Sequence, residues 1–514
     1  MRLAIITDEG KGGWEWLGEV GVFNKGLLNR DGGLLDYWDY KFIRSCNEFL
    51  QLIQTGKVTE EEKVVTTAEV RFLRAYAYYE MVIRYGGVPL ITEPQNADDF
   101  EALFVPRNTE KEIFDFILSE CDQVSALLPE EYDASKKGRA TKFAALALKS
   151  RAMLFAASEA KYGTEELNGL VGMPAGEANE YWQQSLNASK AIIDAGKFSL
   201  FNRYPDDKAK NYQRLFLEED NEETILAKKF VSTIKGHNFD YYTELQSFAA
   251  GWANGIAVTV EMVDSYEMTD GSNPVIDWAN ITGFQSEILK NKDPRFHASV
   301  FYNGSPWKTD SAVLYWGIDV DADGDGVKER LSSTTGEYNG MPHIGKDANG
   351  GETTKTGFSI KKFRDDSKRH QENESGQDWI VYRYGEVLLN YAEAAFELGM
   401  SGEALDALNQ IRTRAGLPAA GSVTIEQIRQ ERKVELAFET LRWWDLKRWR
   451  QSEAALNMPF KSVRGYFDWA EQKYHFEVGT ADGYQRVFKP IHYYQPISEK
   501  VTSNNPSLLE NPGY

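Results

Sequence analysis

The sequence predicts a mainly α-helical protein in which two helical regions flank a loop-rich, partly β middle segment. Apolar residues recur with helical spacing up to residue 196 and again from residue 379. Between them, short aromatic or β-branched runs are broken by Gly, Asn, Asp, Ser and Pro, a texture typical of loops. We therefore divide the chain into 1–196, 197–378 and 379–514, and expect one compact body that binds its ligand in the middle segment.

The first region contains five stretches with helical periodicity. They lie near residues 35–55, 64–85, 109–128, 139–160 and 180–195. Thr109, followed three residues later by Glu112, is the sequence signature of a capping box and predicts a helix start. Gly138, Gly163 and Gly196 occur where these helices are expected to stop or turn.

The last region predicts a helix–turn–helix unit over residues 384–418, about the length of a tetratricopeptide repeat. Because the interval between such pairs is irregular, we expect degenerate repeats around a non-repeating insert rather than a regular solenoid. A single helix is predicted over 428–449, apolar on both flanks of a charged stripe. Its charges should fix packing through pairs along the helix. The expected pairs are Arg432 with Glu435, Glu439 with Arg442, and Asp445 with Arg448.

Composition excludes several classes of protein. Hydrophobic content of 42% and aromatic content of 13% favour an ordered globule, and no apolar run is long enough to span a membrane. A net charge of −20 argues against binding to nucleic acid or to an anionic membrane surface. Cys46 and Cys121 are the only cysteines, so we expect core thiols rather than disulfides or a four-cysteine zinc site.

Four ordered blocks of the chain resemble the SusD/RagB family of nutrient-uptake proteins. They are 68–76 (AEVRFLRAY) running on to 86–90 (GGVPL), then 382–394 (YRYGEVLLNYAEA), then 432–446 (RKVELAFETLRWWDL), and finally 505–506 (NP) with 511–514 (NPGY). Because the blocks keep this order from about residue 68 to the last residue, together they are more specific than any one alone.

This resemblance implies a mostly helical fold with tetratricopeptide-like hairpins and a surface-exposed lipoprotein of the outer membrane in Bacteroidetes-type bacteria. It also implies that the protein is not an enzyme, and that it captures oligosaccharide for a SusC-like TonB-dependent β-barrel transporter. The start of the sequence lacks the signal and the lipobox cysteine of that family. We expect a truncated amino end; the alternative is a protein that is not exported.

Aromatic residues are the main candidates for ligand contact, because a flat exposed ring suits the apolar face of a sugar. One sugar covering roughly 100 Å² contributes ~2.5 kcal/mol, less than the ~4 kcal/mol of a millimolar complex, so several platforms are needed. Trp14 and Trp16 lie in an early loop that resembles one where SusD-like proteins carry sugar-stacking aromatics. The predicted glycan-binding residues are Trp14, Trp16, Tyr241, Trp252, Asn254, Asp277 and Trp278. The alternative for each aromatic residue is core packing.

An aspartate-rich stretch at 319–329 (DVDADGDGVKE) predicts a calcium site. Alternating aspartates bring hard oxygens to one point, and the intervening glycines permit the turn. The predicted ligands are Asp321, Asp323, Asp325 and Glu329, holding a structural Ca²⁺. The alternative is a solvated acidic turn.

Signatures of catalysis are missing from the sequence, which contains no nucleophile elbow, metalloprotease motif, Cys-x-x-Cys or phosphate loop. The function that the resemblance to the SusD/RagB family implies is binding and delivery of a glycan, and the missing motifs are consistent with it. Two alternatives stay open: a glycan-cleaving enzyme on a helical scaffold, whose carboxylate pair would be defined only in space, and a helical-repeat adaptor for proteins.

Overall fold

The computed structural model describes residues 2–14, 18–31, 33–96 and 98–514, and the protein is mostly helical over this part of the chain. The helices are α1 (Gly18–Asn24), α2 (Tyr40–Leu52), α3 (Glu60–Tyr85), α4 (Phe100–Leu103), α5 (Glu110–Ser125), α6 (Lys142–Tyr162), α7 (Ala178–Asp194), α8 (Lys208–Leu215), α9 (Phe239–Thr243), α10 (Val260–Ser265), α11 (Gln285–Ile288), α12 (Pro294–Ser299), α13 (Tyr384–Glu397), α14 (Ser401–Ala415), α15 (Ile425–Glu435), α16 (Arg442–Arg448), α17 (Ser452–Leu456) and α18 (Glu499–Asn504). The strands are β1 (Gly10–Gly12), β2 (Thr224–Lys228), β3 (Ile256–Val258), β4 (Val300–Phe301), β5 (Pro306–Trp307), β6 (Asp310–Ser311), β7 (Ile318–Val320), β8 (Glu329–Leu331), β9 (Glu337–Tyr338), β10 (Met341–Pro342), β11 (Ser359–Ile360), β12 (Trp379–Arg383), β13 (Lys461–Asp468) and β14 (Lys473–Thr480).

The five helices predicted in the first region are confirmed as α2, α3, α5, α6 and α7. At the start of α5, the Thr109 side chain accepts the amide of Glu112 while the Glu112 carboxylate accepts the amide of Thr109, so the predicted capping box is present. Helix α6 packs against both α5 and α7, and it is buried on nearly all sides. The predicted mainly α fold is confirmed.

The predicted hairpin at 384–418 is confirmed as α13 and α14, which pack against each other. Gly416 ends α14 with φ of +87°, the left-handed conformation that glycine adopts most easily at a helix end. Helix α13 also packs on α7, so the carboxy-terminal helices rest on the amino-terminal ones. This common scaffold supports the middle segment.

The prediction of a single helix over 428–449 is wrong, because the structure has two helices separated by a turn in this segment. Helix α15 ends at Glu435 and α16 begins at Arg442. Residues 436–441, the signature turn, contain Phe438 with φ of 64° and Thr440 with φ of 68°. Left-handed backbone costs roughly 1–2 kcal/mol for such residues, so contacts from elsewhere must hold the turn. Periodicity alone does not reveal such contacts.

One of the three ion pairs predicted along this segment is confirmed: Arg448 Nη2 lies 2.9 Å from Asp445 Oδ1. The other two predicted ion pairs are wrong, because each of their four side chains pairs with a residue on a different element. The observed partners are Asp445 for Arg432, Asp8 for Arg442, Arg295, Arg383 and Arg414 for Glu435, and Lys362 and Arg383 for Glu439. These charges therefore fix packing as expected, by joining distant segments rather than stabilising one helix.

The sheets are small and lie mainly in the middle segment. One has the order β1-β3-β11-β4, and another has the order β14-β13-β7-β8. Sequence reasoning missed the long hairpin of β13 and β14, which joins β7 through parallel pairing of Phe467 with Ile318. This sheet crosses the predicted boundary at residue 378 and ties the carboxy-terminal region to the middle loops.

The hydrophobic core extends from the amino-terminal helices through the middle segment to the carboxy terminus. Cys46 and Cys121 are buried free thiols, as predicted. Among the helices that the structure describes, none combines the length and the apolar character needed to cross a bilayer.

Candidate functional site

Strand β1 carries the early aromatic loop to the middle segment. It pairs antiparallel with β3, with Gly10 opposite Val258 and Gly12 opposite Ile256. The ladder continues with a hydrogen bond from the Gly13 amide to the carbonyl of Gly255. This pairing joins two segments that are more than 200 residues apart in sequence. It places Trp14 beside the loop that precedes β3.

Four aromatic side chains meet there and form the aromatic surface, defined as Trp14, Tyr241, Tyr242 and Trp252. The ring of Trp14 lies 5.4 Å from that of Tyr242 and 5.3 Å from that of Trp252, both edge to face, and Tyr241 lies 5.5 Å from Tyr242. Edge-to-face contacts of this kind stabilise a cluster beyond simple area burial. Helix α9 supplies both tyrosines, so the surface combines two segments distant in sequence.

The four rings differ in exposure. Trp14 is only 7% exposed, and its indole Nε1 donates to the carbonyl of Ala253 at 3.0 Å. Trp252 is 36% exposed, and both tyrosines are half-buried. Trp14 therefore supports the surface from below, while Trp252 presents a ring to solvent.

Gly251 allows Tyr241 to approach the chain closely. A Cβ atom on Gly251 would lie 2.2 Å from the Tyr241 hydroxyl oxygen, well inside van der Waals contact. The glycine is therefore required for this position of the ring. No local sequence pattern predicts this contact, because it joins α9 to a separate loop.

Asn254 anchors the loop that carries Trp252. It is fully buried with φ of 47°. Its side-chain amide donates to the carbonyl of Glu352 at 2.7 Å, and its carbonyl oxygen accepts from the hydroxyl of Ser359 at 2.8 Å. Both ends of the side chain are thus occupied within the protein, and Asn254 positions the aromatic surface without facing solvent.

The other predicted glycan-binding residues lie apart from this cluster or outside the described chain. Trp278 is 3% exposed and packs against Phe358 and Phe476, with ring distances of 6.0 and 5.1 Å. Its neighbour Asp277 is exposed and accepts a hydrogen bond from Asn280. Trp278 is therefore a core residue with no exposed ring. Trp16 lies outside the described residues.

The signature turn reaches this surface through the start of the chain. The backbone amide of Phe438 donates to Glu9 at 2.8 Å, and Arg442 donates twice to Asp8, each at 2.8 Å. On the other side, the amide of Thr259 donates to the Glu9 carbonyl. Asp8 and Glu9 thus fix β1 between the signature turn and β3, and β1 leads directly to Trp14.

The two neighbouring carboxylates have opposite electrostatic behaviour. Burial disfavours the charge on Asp8, but the charges of Arg442 and Lys433 outweigh it and hold the pKa of Asp8 well below its ordinary value. Burial raises the pKa of Glu9 to about 7, because the loss of solvation outweighs the hydrogen bond from the Phe438 amide, and the nearby charge of Asp8 acts in the same direction as burial. Asp8 is an ion-pair anchor, whereas Glu9 is a poorly solvated acid.

The aspartate-rich stretch forms the exposed loop between β7 and β8. Carboxylate oxygens of Asp321, Asp323 and Asp325 lie within 4.8 Å of one another. Glu329 is outside this group in the described structure, and its Oε2 accepts the amide of Ala322 at 3.1 Å. The three aspartates could share a hard cation, whereas Glu329 would have to turn to reach it.

Two family models and a curated relative match this sequence. A family model described as the SusD family matches residues 222–514, and one described as starch-binding associating with outer membrane matches residues 28–154. A SusD-like protein of Bacteroides ovatus is 25% identical over 517 residues, which cover 94% of this chain and 81% of that protein.

Solved structures show the same fold. A SusD-like protein from Bacteroides fragilis superimposes with a TM-score of 0.77 at 25% identity, covering 100% of this chain and 93% of that one. A SusD-like carbohydrate binding protein from the same species has a TM-score of 0.76 at 23% identity, covering 99% and 92%. Since the SusD family model matches more than half of its residues, the chain belongs to the SusD family.

Proposed function

We propose that this protein binds an oligosaccharide on the aromatic surface and delivers it to a SusC-like TonB-dependent transporter at the outer membrane. The observation that carries the proposal is the ring of Trp252, which is 36% exposed and packs edge to face on Trp14, the buried ring at the base of the aromatic surface. Such a base holds the ring rigidly, so little side-chain entropy is lost when a sugar stacks on it.

The family supports this proposal at a coarser level. One matching family is described as starch-binding and associating with the outer membrane, and one structurally similar protein, from Bacteroides fragilis, is a SusD-like carbohydrate binding protein. Binding without catalysis, surface exposure through a lipid anchor, and delivery to a transporter are our proposals for this chain. We also propose that Asp321, Asp323 and Asp325 hold a Ca²⁺ that stiffens the β7–β8 loop.

Affinity electrophoresis of the whole chain in gels containing different polysaccharides tests the binding step. We expect at least one polysaccharide to retard the protein, and calorimetry with its oligosaccharides to give a dissociation constant that weakens at least tenfold in Trp252→Ala. Absence of retardation by every polysaccharide would contradict glycan binding.

Product analysis separates binding from cleavage. After prolonged incubation with the bound oligosaccharide, chromatography should recover the ligand at its original length, whereas shortened products would favour a glycan-cleaving enzyme. For the delivery step, a TonB-dependent β-barrel transporter should co-purify with this protein from outer membranes. Co-purification with unrelated soluble proteins and no transporter would favour an adaptor.

A further inference from the structure

One end of the aromatic surface carries an exposed cation. Arg369 is exposed, and its guanidinium donates through Nη2 to the carbonyl of Ala249, three residues before Trp252. Three residues span at most ~10 Å, so the guanidinium lies within reach of a ligand stacked on Trp252. Among the ion pairs of the described residues, none includes Arg369.

Two further cations border the same end, but their charges are compensated. Lys308 and Lys346 place their ammonium groups 5.6 and 5.2 Å from the ring centre of Phe248, the residue before Ala249. Lys308 binds Glu244 at 3.0 Å, and Lys346 is paired with Asp310. Arg369 therefore supplies the uncompensated positive charge at this end.

A carboxylate contacts the same loop on the other side of Trp252 in sequence. Glu352 accepts the amide of Ala253 at 2.7 Å, directly after Trp252. The loop that carries Trp252 thus has a guanidinium at Ala249 and a carboxylate at Ala253. The net charge of −20 makes most of the protein repel anions. An exposed arginine without a carboxylate partner attracts an anion locally.

We infer that the glycan bound on the aromatic surface is anionic, and that Arg369 contacts its acidic group. The inference rests on the proposed function and names the class of ligand for the same site. A uronate carboxylate or a sulfate ester presents oxygens that accept two parallel N–H groups of a guanidinium. The acidic group binds beside the Ala249 carbonyl, where the Arg369 guanidinium lies, and away from the Glu352 carboxylate, which repels it.

Matched polysaccharides test the ligand class. The whole chain is run in gels containing polygalacturonate or its fully methyl-esterified form, a sulfated galactan or its desulfated form, and soluble starch. We expect retardation by at least one acidic member, weaker binding of its neutral counterpart by about tenfold, and loss of affinity as NaCl rises. The member that binds distinguishes a uronate from a sulfate.

Variants test the role of Arg369. Arg369→Gln removes the charge but can still donate to the Ala249 carbonyl, and it should weaken binding of the acidic ligand about tenfold. Lys368→Ala is the matched control, because it removes one positive charge from the adjacent residue, whose ammonium lies 3.8 Å from Glu374. Binding of the acidic ligand by this control should stay within twofold of wild type.

The outcomes separate this inference from the proposed function. Binding of neutral polysaccharides only, with dependence on Trp252, overturns the anionic inference and leaves glycan binding intact. Binding of an acidic ligand that is unchanged in Arg369→Gln, or equally weakened in Lys368→Ala, overturns the assignment of Arg369. Failure of every polysaccharide to bind contradicts the proposed function itself.

Discussion

Glu9 accepts the backbone amide of Phe438 at 2.8 Å, and its other carboxylate oxygen is buried without a hydrogen-bond partner in the described part of the chain. One oxygen therefore holds a left-handed residue of the signature turn, while the other lacks solvation. This contact joins the residue before β1 to the 432–446 block, one of the four that resemble the family. It also makes stability depend on pH.

Glu9 binds its proton more tightly in the folded protein, where burial raises its pKa to about 7 from 4.5. The folded state therefore holds more protons than the unfolded state between these values, and its free energy of unfolding falls as the pH rises through that window. The rise of the Glu9 pKa from 4.5 to about 7 corresponds to a loss of ~3 kcal/mol in the free energy of unfolding across this window. The unfolding free energy of Glu9→Gln minus that of wild type should increase by ~2–3 kcal/mol between pH 4.5 and pH 7.5. Urea titration of both proteins at each pH measures this difference.

Glu101→Gln serves as the control for this measurement, because Glu101 is exposed on α4. Its unfolding free energy should follow that of wild type at every pH. A constant offset between Glu9→Gln and wild type across the whole range would show that Glu9 does not titrate in this window.

Trp252 and Trp278 should respond to alanine in opposite ways. Trp278 is buried against Phe358 and Phe476, so Trp278→Ala should lower the free energy of unfolding by about 3–5 kcal/mol. Trp252→Ala should change stability by less than about 1 kcal/mol while weakening glycan binding at least tenfold. Denaturant titration and calorimetry measure the two effects. A large stability loss in Trp252→Ala would place its main role in the fold.

Gly251→Ala should displace the ring of Tyr241, because the new Cβ would lie 2.2 Å from the tyrosine hydroxyl oxygen. The hydroxyl is the free end of a half-buried side chain, so the fold should tolerate the change with a loss near 1 kcal/mol or less. We expect glycan affinity to fall about fivefold. Gly483→Ala is the control, since a Cβ there meets open space. Equal affinities of the two variants would exclude Tyr241 from the binding surface.

Calcium should stabilise the β7–β8 loop if the three aspartates hold it. In millimolar CaCl₂ the melting temperature of wild type should rise by a few degrees, and EDTA should reverse the rise. Asp323→Asn with Asp325→Asn should abolish the response, whereas Glu329→Gln should retain most of it, because Glu329 stands outside the group of three. Equal melting temperatures in CaCl₂ and EDTA would favour the solvated acidic turn.

Local signals predicted the scaffold well. The capping box at Thr109 and the spacing of apolar residues are properties of neighbouring residues, and α5 and the other predicted amino-terminal helices formed as expected. The break after Glu435 escaped prediction, because distant groups hold the turn, among them the Glu9 carboxylate at the Phe438 amide and the Lys362 ammonium at the Ala437 carbonyl. The β13–β14 hairpin was missed for a related reason: its pairing with β7 spans the middle of the chain.

The aromatic surface was predicted only in part. The predicted residues Trp14, Tyr241 and Trp252 lie together in the structure. Two other members of the predicted set, Trp278 and Asn254, are buried. Tryptophan serves equally in a core and at a ligand surface, so composition cannot separate the two uses. Arg369 had a weak signal, as part of a basic pair in a loop of an acidic chain, and only the contact with Ala249 relates it to the aromatic rings.

The bond between Glu9 and Phe438 spans 429 positions, which has a consequence for the order in which the molecule assembles. During synthesis the first residues emerge long before the signature turn exists, so β1 lacks one of its two anchors until most of the chain has been made. Closing so long a loop is entropically costly and belongs among the slow, late steps of folding. The position of β1 beneath the Trp14 loop is therefore completed only when residue 438 reaches residue 9, so this part of the aromatic surface is among the last to become rigid.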